Sequence, residues 1–352
     1  MNIYDMLQQL MDKEGSDLHL LVGAPPTLRV AGQLTAIEGT PKLTPEQVKM
    51  LVEPLMTQEQ QDYVALHKEL DFGYQFASEG RFRVNVYHAQ GALAAALRLI
   101  PKAIKSIEEL GLPDILHQFA DYKQGLVLVT GPTGEGKSTT LAAVIEEINQ
   151  QRAEHILTIE DPVEFIFESK KSIISQREMN QDTHDWDLAL KSAMREDPDV
   201  VFVGEIRDYE TIASAITVAE TGHLVFTTLH TNTASQTMDR MIDVFPANQQ
   251  SQIRQQLASS IKAVVSQRLV PTLDGSRTVV AEVLIANSAI KNLIRESKTH
   301  LIDNVIQTSS ADGMLLMETS LVAKVRQGLI GKEKAREFAF RVEVFDQLME
   351  GR

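Results

Sequence analysis

The stretch Gly131-Pro132-Thr133-Gly134-Glu135-Gly136-Lys137-Ser138 fits the pattern G-x-x-x-x-G-K-[ST] at every fixed position. This pattern is typical of loops that bind nucleotide phosphates. The apolar run 126–129 before it predicts a buried strand, and residues 139–148 after it favour a helix. A glycine loop between a strand and a helix lets backbone N–H groups and the helix N-terminus surround phosphate oxygens.

The loop predicts two cofactors, ATP and Mg²⁺. Lys137 is expected to reach the β- and γ-phosphates, and the Ser138 hydroxyl is expected to coordinate the metal. The full set of predicted nucleotide-binding residues is Gly131, Pro132, Thr133, Gly134, Glu135, Gly136, Lys137, Ser138 and Thr139.

Length and composition indicate the class of protein. A chain of 352 residues is long for one hydrophobic core and suggests two domains. Its 43% apolar and 23% charged residues are ordinary for a globular protein, and the net charge of −14 argues against nucleic acid as a partner. The chain has no cysteine, which excludes disulfides and thiolate zinc sites.

Neither a membrane span nor a secretory signal is predicted. The sequence has no run of about 18 apolar residues, and its N-terminus lacks a basic region followed by an apolar core. The expected compartment is therefore the cytosol, where ATP and Mg²⁺ are available.

The pattern of secondary structure changes near residue 100. Residues 1–100 combine short strands with helical segments, which predicts a small α+β domain. Residues 101–352 alternate apolar strands with helices, which predicts an α/β domain with a largely parallel sheet and helices on both faces. A helical region is expected from about residue 287 onward, and residues 107–116 are also expected to be helical. Ligands of such sheets lie at the carboxyl ends of the strands.

Acidic residues occur at the ends of two predicted strands. Glu205 ends the apolar strand that begins at residue 199, and a carboxylate there is suited to orienting water and to holding Mg²⁺ through water. Glu160 ends the strand of residues 155–160, and Glu164 follows it. We expect at least one of these two glutamates to act in the site. Asp161, beside them, is equally compatible with a turn ahead of Pro162.

Two histidines flank the strand of residues 224–229. His230, at its carboxyl end, is expected to sense the γ-phosphate or to contact the catalytic acid. His223 lies near the start of the strand, and the odd separation places the two side chains on opposite faces if the strand is continuous. A catalytic and a structural role are equally open for His223. A metal site is not expected here, because no third ligand stands at a suitable spacing.

Arginine is the other group that phosphate transfer needs, because it stabilises the transferred charge. A neighbouring subunit commonly supplies it in ring-shaped motors. The candidates are Arg81, Arg83, Arg98, Arg195 and Arg207, although a single arginine is more often part of a surface salt bridge.

With these motifs the chain resembles the secretion ATPases that drive type II secretion and type IV pili, and more closely their PilT-type retraction branch, which powers twitching motility. The matching motifs are a Walker A loop (131–138), an aspartate box (159–165), a Walker B segment (195–208), a histidine box (221–231) and a C-terminal helical motif of the retraction branch (289–296). The resemblance covers essentially the whole chain.

The resemblance implies a PAS-like domain over residues 1–100 and a RecA-like P-loop ATPase domain over residues 101–352. It implies a homo-hexameric ring in which a neighbour completes each ATP site, with Glu205 as the catalytic glutamate and with His223 and His230 in the histidine box. Rotation of the small domains would turn the pilus platform protein of the inner membrane, so the ring would be recruited to the inner face of that membrane. A paralogous pilus ATPase is a further possible partner.

Two positions depart from the family pattern. Glu135 stands where a serine is usual, and we expect its side chain to point away from the phosphates because an acid would repel them. Gly91 stands where an arginine is usual, so one arginine contact expected across subunits is missing.

Three other functions compete with a retraction motor. Assembly or secretion ATPases usually carry a longer N-terminal region and a four-cysteine motif, and both features are missing here. An accessory nucleotide-binding subunit without turnover of its own is compatible with the changes at Glu135 and Gly91, although Lys137, Ser138 and Glu205 are intact. A DNA-transfer motor is disfavoured by the net charge of −14.

Overall fold

The computed structural model describes residues 1–76, 80–100, 103–206 and 208–351. The chain forms two compact units. The first unit contains Met1–Ala103 together with Asp161–Ile166, and the second contains Ile104–Glu160 and Phe167–Arg352. The sequence analysis does not foresee that residues 161–166, which interrupt the second unit, belong to the first.

The first unit is a six-stranded antiparallel sheet with three α-helices, as expected for an α+β domain. The strand order is β3-β2-β1-β6-β5-β4. Its elements are α1 (Ile3–Asp12), β1 (Asp17–Leu20), β2 (Thr27–Val30), β3 (Gln33–Ala36), α2 (Pro45–Val52), α3 (Gln58–His67), β4 (Glu69–Phe76), β5 (Gly80–Ala89) and β6 (Ala92–Ile100). Residues 77–79, between β4 and β5, lie outside the described residues.

Helix α1 forms because its apolar residues recur on one face and its first turn is capped. The side chains of Ile3, Met6, Leu7 and Leu10 are buried in the core of this unit. Asn2 accepts a hydrogen bond from the backbone of Asp5, whose carboxylate accepts one in return.

The departure at Gly91 is explained by the turn between β5 and β6. Ala89 pairs with Ala92, so only two residues form the turn. Gln90 has a φ of 53° and Gly91 a φ of 81°. Two successive residues with positive φ form the tight turn that suits a twisted hairpin, and glycine adopts this conformation without steric strain.

The second unit contains a seven-stranded sheet with helices, which confirms the predicted mixed α/β architecture. Up to the last strand its elements are α4 (His117–Asp121), β7 (Gly125–Thr130), α5 (Lys137–Gln151), β8 (His155–Glu160), β9 (Ile173–Glu178), α6 (Trp186–Ala193), β10 (Val200–Glu205), α7 (Tyr209–Glu220), β11 (Leu224–Leu229), α8 (Ala234–Asp243), α9 (Ala247–Ser260), β12 (Ile261–Pro271) and β13 (Arg277–Ile285). The C-terminal helices that follow are α10 (Ser288–Arg295), α11 (Ile302–Thr308), α12 (Met317–Arg326), α13 (Lys332–Phe338) and α14 (Val342–Glu350).

The sheet of the second unit has the order β13-β12-β7-β11-β10-β8-β9. All neighbouring strands pair in parallel except β12 and β13, which are antiparallel. Every residue of β7 and β11 is buried, as expected for central strands that helices cover on both faces. The parallel pairing brings the carboxyl ends of β7, β11, β10 and β8 to the same edge, where ligands of such sheets bind.

The segment of residues 107–116 is only partly helical. Residues 107–111 form turns, Asp114–Leu116 form a short 3-10 helix, and α4 follows. The long hairpin of β12 and β13 was not predicted, although both strands are apolar and largely buried. None of the helices in the described part of the chain combines the length and the apolar character that crossing a bilayer requires.

Asn149 of α5 holds the segment that leads into β9. Its side chain is buried, with Oδ1 accepting a hydrogen bond from the Lys170 N–H at 3.0 Å and Nδ2 donating to the Glu168 carbonyl at 2.8 Å. Both backbone groups would lose this partner if the amide were removed.

We predict that Asn149→Ala lowers the free energy of unfolding of the second unit by about 1–3 kcal/mol, because polar groups are left buried without a partner. Urea unfolding followed by the fluorescence of Trp186, the single tryptophan, measures this unit. The matched control is Gln150→Ala, an exposed amide on the same helix, which should change stability by less than about 0.5 kcal/mol. Equal destabilisation by both variants would contradict the prediction.

Candidate functional site

Gly131 begins the phosphate loop at the carboxyl end of β7. Its φ is 143°, and a Cβ atom at this position would lie 2.4 Å from the backbone carbonyl oxygen of Gln267 on β12. Real Cβ atoms do not approach an oxygen this closely, so only glycine fits between the two neighbouring strands. Gly134 and Gly136 also have positive φ values, of 82° and 80°, which turn the loop back toward the start of α5.

The start of α5 is suited to a phosphate group. Gly136 occupies the N-cap position, and no described side chain makes a capping hydrogen bond to this helix. Uncapped N–H groups and the positive end of the helix dipole favour an anion at this point. The glycine conformations and the uncapped helix therefore fit the polyphosphate of a nucleotide.

Lys137 lies inside the loop that surrounds it, with only 8% of its surface exposed. Its Nζ donates hydrogen bonds to the carbonyl oxygens of Gly131 at 2.8 Å and Pro132 at 2.9 Å. The ammonium is thus held at the mouth of the loop by oxygen acceptors that phosphate oxygens can replace.

The side chain of Glu135 points away from the interior of the loop and toward β12, as the sequence analysis expected. Its Oε2 accepts a hydrogen bond from the Leu269 N–H at 2.5 Å, and its Oε1 lies 3.5 Å from Nη1 of Arg268. Its backbone carbonyl accepts a hydrogen bond from Nε2 of Gln267 at 2.6 Å. Glu135 therefore fastens the tip of the loop to the adjacent strand.

Glu205 and His230 come together at the carboxyl ends of β10 and β11. Nε2 of His230 lies 2.9 Å from Oε1 of Glu205, and its Nδ1 lies 3.5 Å from Nζ of Lys137. The imidazole thus connects the loop lysine with the predicted catalytic acid. Of the two roles expected for His230, contact with the acid is the one observed.

Glu160 lies at the same edge of the sheet, at the end of β8. Its side chain is buried, and Nε2 of Gln176 lies 3.5 Å from its Oε1. The neighbouring end of β10 carries a register shift at Gly204, whose carbonyl accepts a hydrogen bond from Thr228 at 2.7 Å. A Cβ on Gly204 would lie 3.4 Å from the Glu160 Cα, so the ends of β10 and β8 are in van der Waals contact at this point.

The side chains near the loop are suited to a Mg²⁺ ion that is coordinated mainly by the phosphates of the nucleotide. Ser138 occupies the second position of α5, where its hydroxyl can act as one ligand. No group of three histidine, aspartate or glutamate side chains in the described residues is arranged to hold a metal. A site with one protein hydroxyl, phosphate oxygens and water suits Mg²⁺, which retains most of its water.

Glu164 lies in the first unit, in contact with Arg83. Nη1 of Arg83 is 3.7 Å from Oε1 of Glu164, and its Nη2 is 2.5 Å from Oδ2 of Asp71. Nε of Arg81 donates to the Val163 carbonyl at 3.4 Å. These contacts fasten residues 161–166 to the sheet of the first unit, and a catalytic role for Glu164 stays a prediction.

His223 is not brought to this edge. His223 precedes β11 at the opposite edge of the sheet, where its Nδ1 lies 3.0 Å from the Val218 carbonyl oxygen. Arg98 pairs with Asp17 at 2.9 Å in the first unit, and Arg195 is exposed. Arg207 lies outside the described residues, so its predicted role stays a prediction, as does that of His223.

Sequence reasoning missed Gln267 and Arg268 of β12, which both contact the loop. Oε1 of Gln267 and Nε of Arg268 are buried and have no hydrogen-bond partner among the described residues. The available signal was the polar triplet Ser266-Gln267-Arg268 between apolar neighbours in the run from Ala263 to Val270. Polar residues in a buried strand indicate that their side chains have polar partners elsewhere in the fold.

Comparisons with known proteins identify the family to which the chain is similar. The sequence pattern of a family described as "Type II/IV secretion system protein" matches residues 3–343. The chain is 44% identical over 339 residues to the type IV pilus retractation ATPase PilT of Pseudomonas aeruginosa, covering 96% of this chain and 98% of that protein. It is 50% identical over 315 residues to a twitching motility protein of Neisseria gonorrhoeae, covering 89% and 84%. A crystal structure of the pilus retraction motor PilT with bound ADP matches with a TM-score of 0.91 and 43% identity, covering 99% of both chains.

We predict that Glu135→Ala weakens nucleotide binding about tenfold. Removing the carboxylate leaves the Leu269 N–H without its acceptor, at about 1–3 kcal/mol, and releases the tip of the loop. Titration with a fluorescent ADP analogue measures the affinity. Glu135→Gln keeps an oxygen acceptor and is the matched control, expected within about threefold of the wild type because only the charge is lost. Unchanged affinity in Glu135→Ala would contradict this role.

Proposed function

This chain belongs to the type II/IV secretion system protein family, and we propose that it is an ATP-hydrolysing motor that powers retraction of type IV pili. The observation that carries the enzymatic part is the contact of His230 with both Glu205 and Lys137. This contact supports the proposal, because it joins an acid, a histidine and the lysine of the predicted phosphate loop at one edge of the sheet. The relatives named as a retraction ATPase and a twitching motility protein support the cellular part.

In the proposed reaction Lys137 exchanges the carbonyl oxygens of Gly131 and Pro132 for the β- and γ-phosphate oxygens of ATP. The N–H groups of the loop and of α5 hold the same phosphates in a fixed geometry, so they need no reorganisation as charge develops. Mg²⁺, when bound, neutralises phosphate charge, and the Ser138 hydroxyl would be its ligand from this chain.

Glu205 is proposed to orient the attacking water and to accept its proton. A carboxylate can do this only when it is held beside the γ-phosphate, and the hydrogen-bonding contact with His230 restricts its orientation. Glu160, buried at the neighbouring strand end, is proposed to support the same water network.

We propose a homo-hexameric ring, consistent with the family resemblance, with arginines of a neighbouring subunit completing each site. The proposed partner is the pilus platform protein of the inner membrane, with a paralogous ATPase as a second possible partner, and the proposed location is the cytoplasmic face of that membrane. The accessory alternative without turnover loses part of its basis, because Glu135 is held against β12 and does not face the phosphates.

We predict Mg²⁺-dependent ATP hydrolysis by the purified protein. Glu205→Gln should lower kcat about 10²- to 10⁴-fold, because the water loses its base. Lys137→Ala should abolish nucleotide binding, and chelation of Mg²⁺ should stop turnover. Phosphate release is the measurement, and Glu210→Gln, which changes an exposed acid outside the site, is the matched control.

Wild-type turnover no higher than that of the two site variants would rule out the enzyme and favour the accessory subunit. Light scattering on a sizing column tests the ring with the same preparation, and a mass near six times 39.2 kDa is expected. A strict monomer with and without ATP would contradict the ring.

We predict that the chain restores twitching to a piliated bacterium that lacks its own retraction ATPase, because retraction needs hydrolysis by this class of motor. The zone of surface motility is the measurement. The Glu205→Gln variant, expressed at the same level, should not restore it. Restored pilus assembly in a second strain that lacks its assembly ATPase, without restored motility in the first strain, would favour the assembly alternative.

A further inference from the structure

A buried ionic cluster in the second unit lies outside the machinery described above. Arg341, which precedes α14, contacts carboxylates from β13, α11 and α12. Its Nη2 lies 3.1 Å from Oε2 of Glu282 and 2.7 Å from Oδ2 of Asp303, and its Nη1 lies 2.8 Å from Oε2 of Glu318. Glu282 and Glu318 have 0% of their surface exposed. We call these four residues the Arg341 cluster.

The Arg341 cluster holds three carboxylates and one guanidinium, so other positive groups have to compensate for the buried negative charge. Burial alone would lower the pKa of Arg341, but the charges of Glu282, Glu318 and Asp303 raise it above its usual range. Burial also raises the pKa of Glu282. Backbone N–H groups supply part of the missing positive charge, because they donate hydrogen bonds to Glu318 and Glu282. Glu318 Oε1 accepts hydrogen bonds from the backbone of Phe340 and Arg341, at 3.0 and 2.8 Å.

The second oxygen of Glu282 connects the cluster to the catalytic edge of the sheet. Oε1 accepts a hydrogen bond from the Ala234 N–H at 2.9 Å, and both groups are buried. Ala234 is the first residue of α8, so the carboxylate also lies at the positive end of this helix. The residues directly before α8 are 230–233, and the first of them is His230.

The loop of residues 230–233 is rigidly joined to α8. The hydroxyls of Thr231 and Thr237 lie 2.7 Å apart, and Thr237 also donates to the Thr233 carbonyl at 2.7 Å. These hydrogen bonds tie the loop that begins at His230 to the first turn of α8. A continuous set of contacts runs from Arg341 through Glu282 and Ala234 to this loop.

We propose that Glu282, itself held by Arg341, is a positioning residue for His230. It fixes the start of α8 and, through the loop of residues 230–233, the distance between the imidazole and Glu205. The C-terminal helices thus control a hydrolysis site that the Arg341 cluster does not line. This inference rests on the proposed ATP hydrolysis, and it adds a residue that no motif of the active site contains.

Two variants of Glu282 separate its two contacts. Glu282→Gln keeps an oxygen that accepts from Ala234, whereas Glu282→Leu removes the acceptor and the charge together. We expect Glu282→Leu to lower kcat about ten- to a hundredfold with little change in KM for ATP, since catalytic groups are displaced while the phosphate loop is intact. Glu282→Gln should retain most of the activity.

The decisive measurement repeats Glu282→Leu in a His230→Ala background. If Glu282 acts through His230, the second substitution adds no further loss of kcat. Equal losses of kcat in both backgrounds, or an equal loss with Glu282→Gln, would overturn the proposal. Glu282→Met, which also lacks an acceptor for the Ala234 N–H, replaces Glu282→Leu with the same expectations if the latter does not fold.

A readout independent of turnover is the modification of histidines by diethyl pyrocarbonate, followed by mass spectrometry. Glu282→Leu should raise the rate at His230 severalfold, because the contact of its imidazole with Glu205 is loosened, and leave exposed His184 unchanged. An unchanged rate at His230 would overturn the proposal. A wild-type protein without turnover would refute the proposed function alone, and the labelling would then decide this inference.

Discussion

Parallel pairing of the central strands is the constraint on which the site depends. Strands β7, β11, β10 and β8 run side by side, so the chain leaves all four of them at one edge. The carboxyl end of each strand carries a different chemical group: the phosphate loop, His230, Glu205 and Glu160. No segment of the sequence holds these groups together, and the hydrogen bonds of the sheet ladder bring them within reach of one another. The burial of β7 and β11 on both faces makes this edge rigid, which a catalytic site needs.

The loop itself depends on how closely β7 and β12 approach. The missing side chain of Gly131 leaves room for the Gln267 carbonyl, and the glutamate at position 135 bonds to the backbone one strand away. An acid in a phosphate loop would repel its ligand if it faced inward. Here the carboxylate accepts a hydrogen bond from an N–H group of β12 and lies near Arg268, so its negative charge holds the loop against this strand. The same strand thus sets the shape of the loop and neutralises its one unfavourable residue.

The parts of the fold that local patterns specify could be predicted from the sequence. The phosphate loop, Glu205 and His230 could be predicted because each lies at the carboxyl end of a strand with a recognisable apolar run. The partners of Glu135 could not be found, because Leu269 lies far away in the sequence and backbone N–H groups leave no trace in residue identity. The same holds for Glu282, which reads as one acid inside an apolar strand. The excursion of residues 161–166 into the first unit was likewise missed, because its contacts with Arg81 and Arg83 join distant parts of the chain.

The two edge strands of the seven-stranded sheet differ in which other segments contact them. The antiparallel strand β13 is covered, because Val283 bridges to Leu315 and α12 packs against it. Strand β9 forms the other edge, and the exposed side chain of Ile173 begins it. The backbone groups of an edge strand can pair with another chain and so lead to aggregation. On this edge the N–H groups of Ile174 and Glu178 already donate hydrogen bonds to the side chains of Ser169 and Asp182, so fewer backbone donors remain for an added strand.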